Sequence, residues 1–251
     1  MKAAILGGTG VYSIEGIETD DQNIETEYGS VAVKRGRGKW KDLYFISRHG
    51  SDHSIPPHKI NYRANIRALS ILGIEQVFAI YAVGSITDRV KPGEFGLVSQ
   101  FIDVTQGRIN TFYEGGESGL KHTPMDEPYC RDLGFKILSA GKKRGLSLAE
   151  SGTYICTNGP RFETPAEIKM YKLLGADYVG MTGATETALA REAGLHIAAV
   201  CYSINWASGI KEDLEFISDL DIENTKNLIT EIALEVLFDK PGACLCRDHE
   251  S

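Results

Sequence analysis

Short apolar runs alternate along the chain with segments in which apolar residues recur at helical spacing. The runs end in glycine or in a polar residue: the first leads into Gly7-Gly8-Thr9-Gly10, and a later one ends in Gly84-Ser85. Apolar runs bounded by glycine predict buried strands, and the helical spacing predicts amphipathic helices. The predicted strands are Lys2–Leu6, Val31–Lys34, Asp42–Ser47, Gln76–Val83, Gly96–Val104, Thr153–Thr157, Tyr178–Met181 and Ile197–Asn205. The predicted helices are Asn61–Leu72, Leu133–Lys143, Glu186–Ala193 and Ile222–Leu237.

Two further segments complete the pattern. Thr164-Pro165-Ala166-Glu167 has the form of a capping box with proline at the first helical position, which predicts another helix start. Thr105–Tyr129 is polar and lacks periodicity, which indicates a long loop. Because strands and helices alternate without a linker or an internal repeat, the pattern favours an α/β fold. We expect one domain over residues 1–240 and a tail over residues 241–251 that contains Cys244-Leu245-Cys246.

The charge balance limits the classes of partner. The 251 residues carry a net charge of −7, so no overall basic field exists to attract nucleic acid or an anionic membrane. No apolar run is long enough to span a membrane, and glycines follow Met1 too soon for a signal peptide. We therefore expect a cytoplasmic protein without nucleic-acid or membrane partners. An anionic substrate would have to be bound locally, by a few cationic side chains and backbone amides.

Polar or glycine-rich clusters follow the ends of several predicted strands. Ligands of α/β proteins bind at the carboxyl ends of the strands, so we expect these residues to surround one site. They are Thr9, Arg48, His49, Gly84, Ser85, Met181, Thr182 and Asn205.

Two of these clusters suit phosphate. The turn at Gly7–Gly10 offers backbone amides and the hydroxyl of Thr9 to an anion, although a plain tight turn has the same sequence. It matches neither a dinucleotide-binding fingerprint nor a Walker A loop, which disfavours both of those functions. Arg48 and His49 combine a guanidinium with an imidazole, a pair that suits a phosphate dianion but is also common on surfaces.

Other polar residues have ordinary structural explanations. His53 and His58 lie in a proline-rich loop, but no spacing matches a zinc motif, so we predict neither a metal nor a cofactor. Phe162 would pack in a core, and Glu163 would complement the dipole of the following helix. Asn205 differs, because it ends an apolar strand where a buried amide needs hydrogen-bond partners.

In order and spacing, these clusters resemble those of the trimeric purine nucleoside phosphorylase and methylthioadenosine phosphorylase family. The resemblance extends from Gly7 to the last helix. Its most specific stretch is Gly159-Pro160-Arg161-Phe162-Glu163-Thr164-Pro165-Ala166-Glu167. The other matching motifs are Arg48-His49-Gly50, Asn61-Tyr62-Arg63-Ala64-Asn65, Ala82-Val83-Gly84-Ser85-Ile86, Leu174-Gly175-Ala176-Asp177 and Val179-Gly180-Met181-Thr182.

The resemblance implies one mixed α/β domain around a distorted barrel, assembled into trimers or hexamers. It also implies phosphorolysis of a purine nucleoside, with inorganic phosphate as a co-substrate. No covalent nucleophile is needed, because phosphate attacks an oxocarbenium-like centre while contacts to the departing purine strengthen. The implied phosphate ligands are Thr9, Arg48, His49, Ala82, Val83 and Thr182. The implied nucleoside contacts are Phe162 on the purine, Met181 on the ribose, Glu163 and Asn205 on the base edge, His53 near the 5′ end, and His122 in the neighbouring subunit's site. The implied catalytic residues are Asn205, Glu163, Arg48 and His49.

Glu163 and Asn205 indicate a 6-oxopurine. A carboxylate accepts the N1–H of hypoxanthine or guanine, whereas it would oppose the N1 acceptor of adenine. The amide of Asn205 can donate to O6 while its carbonyl accepts a proton on N7. The methylthioadenosine-specific branch of the resembled family has an aspartate at the position of Asn205 and a small polar residue at that of Glu163, so this sequence departs from that branch twice.

The sequence leaves open the 5′ substituent of the nucleoside and whether phosphate or water attacks it. Residues 218–223 lack the histidine that often reads a 5′-hydroxyl in phosphorylases, and residues 57–65 look like those of bacterial methylthioinosine phosphorylases. Inosine, guanosine and S-methyl-5′-thioinosine are all candidate substrates. The alternatives are a 5′-methylthioadenosine phosphorylase, a nucleosidase that uses water instead of phosphate, and a non-catalytic purine-binding protein.

Five cysteines are too few for a disulfide scaffold in a chain of this length. Cys244-Leu245-Cys246 nevertheless resembles a C-x-C element that forms disulfides in some thermophilic members of the same family. Cys130 and Cys201 match positions that are bridged in those members. Free thiols on a mobile tail are the alternative, and the sequence leaves both open.

Overall fold

A twelve-residue strand, β5 (Ile74–Ser85), organises the fold. The computed structural model describes residues 1–8, 16–50, 52–213, 215–242, 244 and 246. Alternate residues of β5 face opposite layers of the core: Val77 and Ala79 pack into one cluster, Phe78 and Ile80 into another. A strand covered on both faces is apolar throughout, which explains why its sequence shows a continuous apolar run rather than alternation.

Across the described residues, eleven strands form one mixed sheet with five α-helices packed around it. The remaining strands are β1 (Lys2–Gly7), β2 (Thr19–Thr26), β3 (Gly29–Gly36), β4 (Leu43–Ser47), β6 (Phe95–Val98), β7 (Gln100–Asp103), β8 (Leu148–Ala149), β9 (Thr153–Cys156), β10 (Tyr178–Gly180) and β11 (His196–Trp206). The helices are α1 (Tyr62–Ile71), α2 (Arg131–Lys143), α3 (Pro165–Leu173), α4 (Gly183–Glu192) and α5 (Asp219–Val236). None of the described helices is both long and apolar enough to cross a membrane.

The sheet branches at β5 and then closes on itself. One edge of β5 pairs first with β1 in parallel and then with β10 in antiparallel orientation. The other edge pairs in parallel with β11, from His196 opposite Gln76 to Trp206 opposite Ser85. One branch continues from β10 to β9 and β7, and the other from β11 to β6. Only Ser99 separates β6 from β7, so the chain itself joins the branches into a ring, which confirms the predicted mixed α/β fold with a distorted barrel.

The structure departs from the predicted elements where pairing is decided by distant residues. Gly96–Val104 is two strands rather than one, because β6 pairs with β11 whereas β7 pairs with β9. The sequence pattern does not predict β2, an edge strand whose one apolar residue is Ile24. Helix α4 begins at Gly183, before the predicted start at Glu186. The capping box of Thr164 and Glu167 is present as predicted.

Candidate active site

A cleft of about 560 Å³ opens at the edge of the sheet where the parallel strands β4, β5 and β11 end. This is the edge at which α/β proteins bind ligands. Thr9 lies outside the described residues, and His122 is exposed and does not line the cleft of its own chain. The predicted site residues that the structure brings together here are Arg48, His49, His53, Ala82, Val83, Phe162, Glu163, Met181, Thr182 and Asn205.

Arg48, the residue after β4, is held in a buried ion pair. Its Nε and Nη2 donate to the two carboxylate oxygens of Glu186 at 2.9 and 2.8 Å, and each residue is only 2% exposed. The hydroxyl of Tyr81 donates to the same carboxylate at 3.1 Å. Burial alone would lower the pKa of Arg48, but the charge and hydrogen bonds of Glu186 outweigh it and raise that pKa. Arg48 is therefore a fixed cation whose charge is matched by Glu186.

Arg48 also donates hydrogen bonds to two backbone carbonyl oxygens. Nη1 donates to the carbonyl oxygen of Ile80 at 2.8 Å, and Nη2 to that of Leu6 at 3.0 Å. A guanidinium has five N–H groups, so these contacts, together with the two to Glu186, leave a single Nη1 N–H for a ligand. A Cβ atom on Gly8 would lie 2.4 Å from Nη1, so the guanidinium approaches the backbone after β1 this closely because Gly8 has no side chain.

His49 has a fixed ring orientation next to Arg48. Its Nδ1 lies 2.8 Å from the carbonyl oxygen of Ile55, which can only accept, so Nδ1 carries the proton. Burial is the largest cause that lowers the pKa of His49 to about 4, and the charge of Arg48 acts in the same direction. At pH 7 the imidazole is therefore neutral, and its Nε2 is an acceptor. Such a ring can accept a hydrogen bond from the P–O–H group of monohydrogen phosphate.

Thr182 precedes α4 without using its hydroxyl to cap the helix. The backbone N–H groups of Thr182 and Gly183 donate instead to the hydroxyl of Tyr154, at 3.1 and 3.3 Å. Since Thr182 lines the cleft, its hydroxyl is available to a ligand beside the positive end of a helix.

Glu163 is a buried carboxylate in a fixed orientation. The hydroxyl of Thr157 donates to its Oε1 at 2.7 Å, and the residue is 8% exposed. Burial raises the pKa of Glu163 above its ordinary value. Arg108 in the long loop donates to the carbonyl oxygens of Thr157 and Asn158 at 3.2 and 2.8 Å. The loop therefore holds the backbone that positions Glu163.

Asn205 lies where the pairing of β11 with β5 shifts its register, between Ser203 and Asn205. Its Nδ2 donates to the carbonyl oxygen of Trp206 at 2.7 Å, which gives this 4%-exposed amide the partner that burial requires. Because a carbonyl oxygen can only accept, the contact also fixes which end of the amide faces Trp206. One N–H and Oδ1 are left for a ligand in the cleft.

Phe162 and Phe216 form an aromatic pair on the cleft wall. Their ring centroids are 6.0 Å apart, and the residues are 50% and 49% exposed, so Phe162 does not pack in a core. Two backbone contacts bring Phe216 to the cleft. Phe216 forms an antiparallel β-bridge with Asn205, and the N–H of Ile217 donates to the carbonyl oxygen of Ile204 at 2.9 Å. Two half-exposed rings are a suitable stacking surface for a planar ligand.

Sequence reasoning misses three residues of this site. In the sequence, Glu186 looks like an ordinary acidic residue in the first turn of a helix. In the structure, it pairs with Arg48. Thr157 looks like the end of a strand, and Phe216 lies in a polar segment without periodicity. A signal existed for Glu186 alone, since it follows the uncharged stretch Thr182–Thr185 directly after a buried strand.

The sequence matches the phosphorylase superfamily over residues 2–234. A probable 6-oxopurine nucleoside phosphorylase from Moorella thermoacetica is 43% identical over 239 residues, which are 92% of this chain and 92% of that protein. An S-methyl-5′-thioadenosine phosphorylase from Thermofilum pendens is 44% identical over 252 residues, which are 97% of this chain and 95% of that protein. The structure of methylthioadenosine phosphorylase from Schistosoma mansoni in complex with tubercidin is similar with a TM-score of 0.86 at 30% identity, and the match covers 94% of this chain and 90% of that chain.

Proposed function

Because the chain belongs to the phosphorylase superfamily, we propose that it cleaves the N-glycosidic bond of 6-oxopurine nucleosides with inorganic phosphate. The products are the free purine and ribose 1-phosphate, or its 5-methylthio analogue. The observation that carries the proposal is the pair of Glu163 and Asn205 in one cleft, each held by a partner outside it. Glu163 accepts the N1–H of a 6-oxopurine, and the amide of Asn205 donates to O6.

The phosphate subsite consists of donors around the glycine turn. The free Nη1 N–H of Arg48 and the hydroxyl of Thr182 donate to phosphate oxygens, and Nε2 of neutral His49 accepts a hydrogen bond from the phosphate P–O–H group. Ala82 and Val83 contribute backbone at the end of β5, and Thr9 belongs to the same subsite by resemblance. The proposed reaction includes no cofactor, and phosphate supplies the attacking oxygen as a co-substrate.

The reaction follows from these contacts. A phosphate oxygen attacks the anomeric carbon as its bond to the purine N9 breaks, and the bonding electrons leave with the purine. The phosphate proton passes to solvent while the departing base takes one up at N7, and Asn205 Oδ1 accepts a hydrogen bond from that N7–H. The hydrogen bond that Asn205 donates to O6 strengthens as negative charge builds on the base, which lowers the barrier more than it stabilises the bound nucleoside.

The remaining lining residues position the nucleoside. Phe162, together with Phe216, stacks on the purine, and Met181 lies against the ribose. His53 lies near the 5′ end, where Ile55 and Pro57 also line the cleft. A wall with both an imidazole and apolar groups accepts a hydroxyl or a methylthio group, so inosine, guanosine and S-methyl-5′-thioinosine are all substrates to be tested.

Phosphorolysis of S-methyl-5′-thioadenosine is the second candidate, because the relative from Thermofilum pendens carries that name at 44% identity. It requires Glu163 to face the N1 acceptor of adenine. A buried carboxylate opposite an acceptor is repulsive, and this disfavours 6-aminopurines in this cleft.

The proposal includes a homo-oligomer, a trimer or a hexamer, in which His122 completes the site of a neighbouring subunit. Its exposed position away from the cleft of its own chain agrees with that role. Light scattering at micromolar concentration checks the assembly, and a fully active monomer contradicts it. Mixing His122→Ala chains with Asn205→Ala chains, each of low activity alone, should restore some activity if the sites are shared.

A substrate panel tests the function. Inosine, guanosine, adenosine, S-methyl-5′-thioinosine and S-methyl-5′-thioadenosine are each assayed with and without phosphate. We expect base release from the 6-oxopurine nucleosides in the presence of phosphate, with pentose 1-phosphate formed in equal amount. Release at full rate without phosphate would identify a nucleosidase, and binding without release would identify a purine-binding protein. Equal cleavage of the two methylthio substrates would refute the role of Glu163 and Asn205.

A further inference from the structure

Four side chains with metal-binding atoms converge at the end of the fold opposite the cleft. These atoms, one from each of Cys130, His196, Cys244 and Cys246, all lie within 4.8 Å of one another. Three of the residues are buried and Cys244 is half-buried. We call this group the Cys3His cluster. The sequence gives no sign of it, because the ligands are dispersed and match no zinc-binding spacing.

Two members of the cluster come from the core of the fold. Cys130 immediately precedes α2, and its backbone N–H donates to the carbonyl oxygen of Ile197 at 2.6 Å. His196 is the first residue of β11, next to Ile197. The start of α2 and the start of β11 are thus joined, and Cys130 Sγ lies 3.7 Å from Nδ1 of His196.

The other two members arrive on the segment that follows α5, which is attached to α2 independently of the cysteines. Lys136 Nζ donates to the carbonyl oxygen of Lys240 at 2.6 Å, and Gly242 N–H donates to Asp132 Oδ2 at 2.8 Å. A Cβ atom on Gly242 would lie 2.4 Å from Asp132 Oδ1, so a side chain at this position would displace the Asp132 carboxylate. These contacts deliver Cys244 and Cys246 to the cluster.

The distances suit a tetrahedral zinc ion. With Zn–S of about 2.3 Å and Zn–N of about 2.0 Å, a sulfur and a nitrogen ligand are about 3.5 Å apart and two sulfur ligands about 3.8 Å apart. His196 Nδ1 lies 3.1 Å from Cys244 Sγ and 3.7 Å from Cys130 Sγ, which brackets the ideal separation. The widest separation, at most 4.8 Å, exceeds the ideal by about 1 Å, a shift that side-chain rotation supplies.

We propose that the Cys3His cluster binds one Zn²⁺ ion that attaches the segment following α5 to α2 and β11. Four protein ligands close the coordination sphere, which is typical of a structural rather than a catalytic zinc site. Asn205 lies nine positions after His196 on β11, about 30 Å away in an extended strand. The ion therefore takes no part in the chemistry of the cleft. Binding deprotonates the three thiols and releases their protons to solvent.

The test measures metal in the whole protein. Protein purified without chelators and with a non-chelating reductant is assayed for zinc by plasma mass spectrometry, and after metal removal it is titrated with Zn²⁺ or Co²⁺. We expect about one ion per chain and, with Co²⁺, thiolate charge-transfer bands together with the intense visible bands of tetrahedral geometry. Zinc removal should lower the melting temperature while nucleoside cleavage well below that temperature is unchanged.

Matched variants locate the ion. Cys244→Ser removes a half-buried ligand, so the fold should survive while stoichiometric zinc and the charge-transfer bands are lost. Cys201→Ser is the control, because Cys201 is a buried free thiol outside the cluster that donates to the carbonyl oxygen of Gly96, as a serine can. Cys201→Ser should keep the metal.

Three results would overturn the proposal. One is reduced protein that takes up neither ion at equivalence. Another is protein that is isolated two hydrogen atoms lighter, with a disulfide within the cluster, and that binds no metal after reduction. The cluster would then form a disulfide that attaches this segment instead of a metal site. The third is equal metal content in the wild type and in Cys244→Ser, which would place the ion elsewhere.

Discussion

Replacing Glu163 by glutamine should erode the preference for 6-oxopurines without disturbing the fold. The carboxylate can only accept hydrogen bonds, and the hydroxyl of Thr157 holds its Oε1 at 2.7 Å. A glutamine amide has both a donor and an acceptor end, and the hydroxyl of Thr157 can bond to either. The variant can therefore present its NH2 group to the N1 acceptor of adenine or its carbonyl to the N1–H of hypoxanthine.

The magnitude follows from the hydrogen bonds exchanged. Inosine loses the difference between a charged and a neutral hydrogen bond, about 1–1.5 kcal/mol, which is about 5- to 12-fold in kcat/KM. Adenosine gains because the variant no longer places a buried carboxylate against the N1 acceptor of adenine. This change is worth about 1–3 kcal/mol, which is about 5- to 150-fold in kcat/KM. The ratio of the two specificity constants should fall by roughly 25- to 1,800-fold. Some preference remains, because the contact with Trp206 still presents Asn205 as a donor to O6.

The assay is kcat/KM for inosine and adenosine at saturating phosphate, with Glu163→Asp as the matched control. The aspartate keeps an acceptor-only group but withdraws it, so both substrates should lose rate while their ratio changes little. The melting temperature of Glu163→Gln should not fall, because burial already disfavours the ionised form of Glu163. If the ratio of kcat/KM for inosine to that for adenosine is unchanged in Glu163→Gln, or changes equally in Glu163→Asp, then this carboxylate does not select the purine by its contact with N1.

Four further outcomes follow from the same geometry. Because the pKa of Glu163 is raised by burial, its carboxylate is lost at a higher pH than that of an ordinary glutamate, so the inosine preference should narrow as the pH falls in the wild type but not in Glu163→Gln. Arg48→Ala should lower the free energy of unfolding in urea by about 3–5 kcal/mol, because the buried carboxylate of Glu186 loses its partner; unchanged stability with weaker phosphate binding alone would contradict this. Phe216→Leu should raise KM for the nucleoside several-fold and leave KM for phosphate unchanged, whereas a change in both would argue against stacking. Sulfate, which has no proton to donate to neutral His49, should inhibit more strongly as the pH falls toward the pKa of about 4, and His49→Gln should lose that trend.

The sequence predicts most of the elements, because their signals are local. The run that forms β5 and the capping box at Thr164 are each decided by a few neighbouring residues. The division of Gly96–Val104 into two strands could not be predicted, because it depends on which distant strand each half meets. Strand β2 is polar and pairs along one edge, so it lacks the alternation that burial of one face would impose.

The candidate site divides in the same way. Residues at strand ends could be predicted to meet, because the carboxyl ends of parallel strands share an edge. Their partners could not, since Glu186 and Phe216 reach the cleft only through tertiary packing. The same limit applies to the cysteines, because Cys130 and Cys246 approach one another only when the chain after α5 lies along α2.

These partners change the electrostatics of the phosphate subsite. The sequence alone places a guanidinium and an imidazole, those of Arg48 and His49, at the anion. In the structure Glu186 balances the charge of Arg48, and His49 is neutral at pH 7. Phosphate is then held by oriented donors and one acceptor, none of which adds uncompensated positive charge. The dianion keeps most of its own charge, and that charge stabilises the oxocarbenium character that develops on the adjacent anomeric carbon. A strongly cationic subsite would bind phosphate more tightly in the ground state but would oppose the positive charge of the transition state, so a balanced arginine serves the reaction better than a free one.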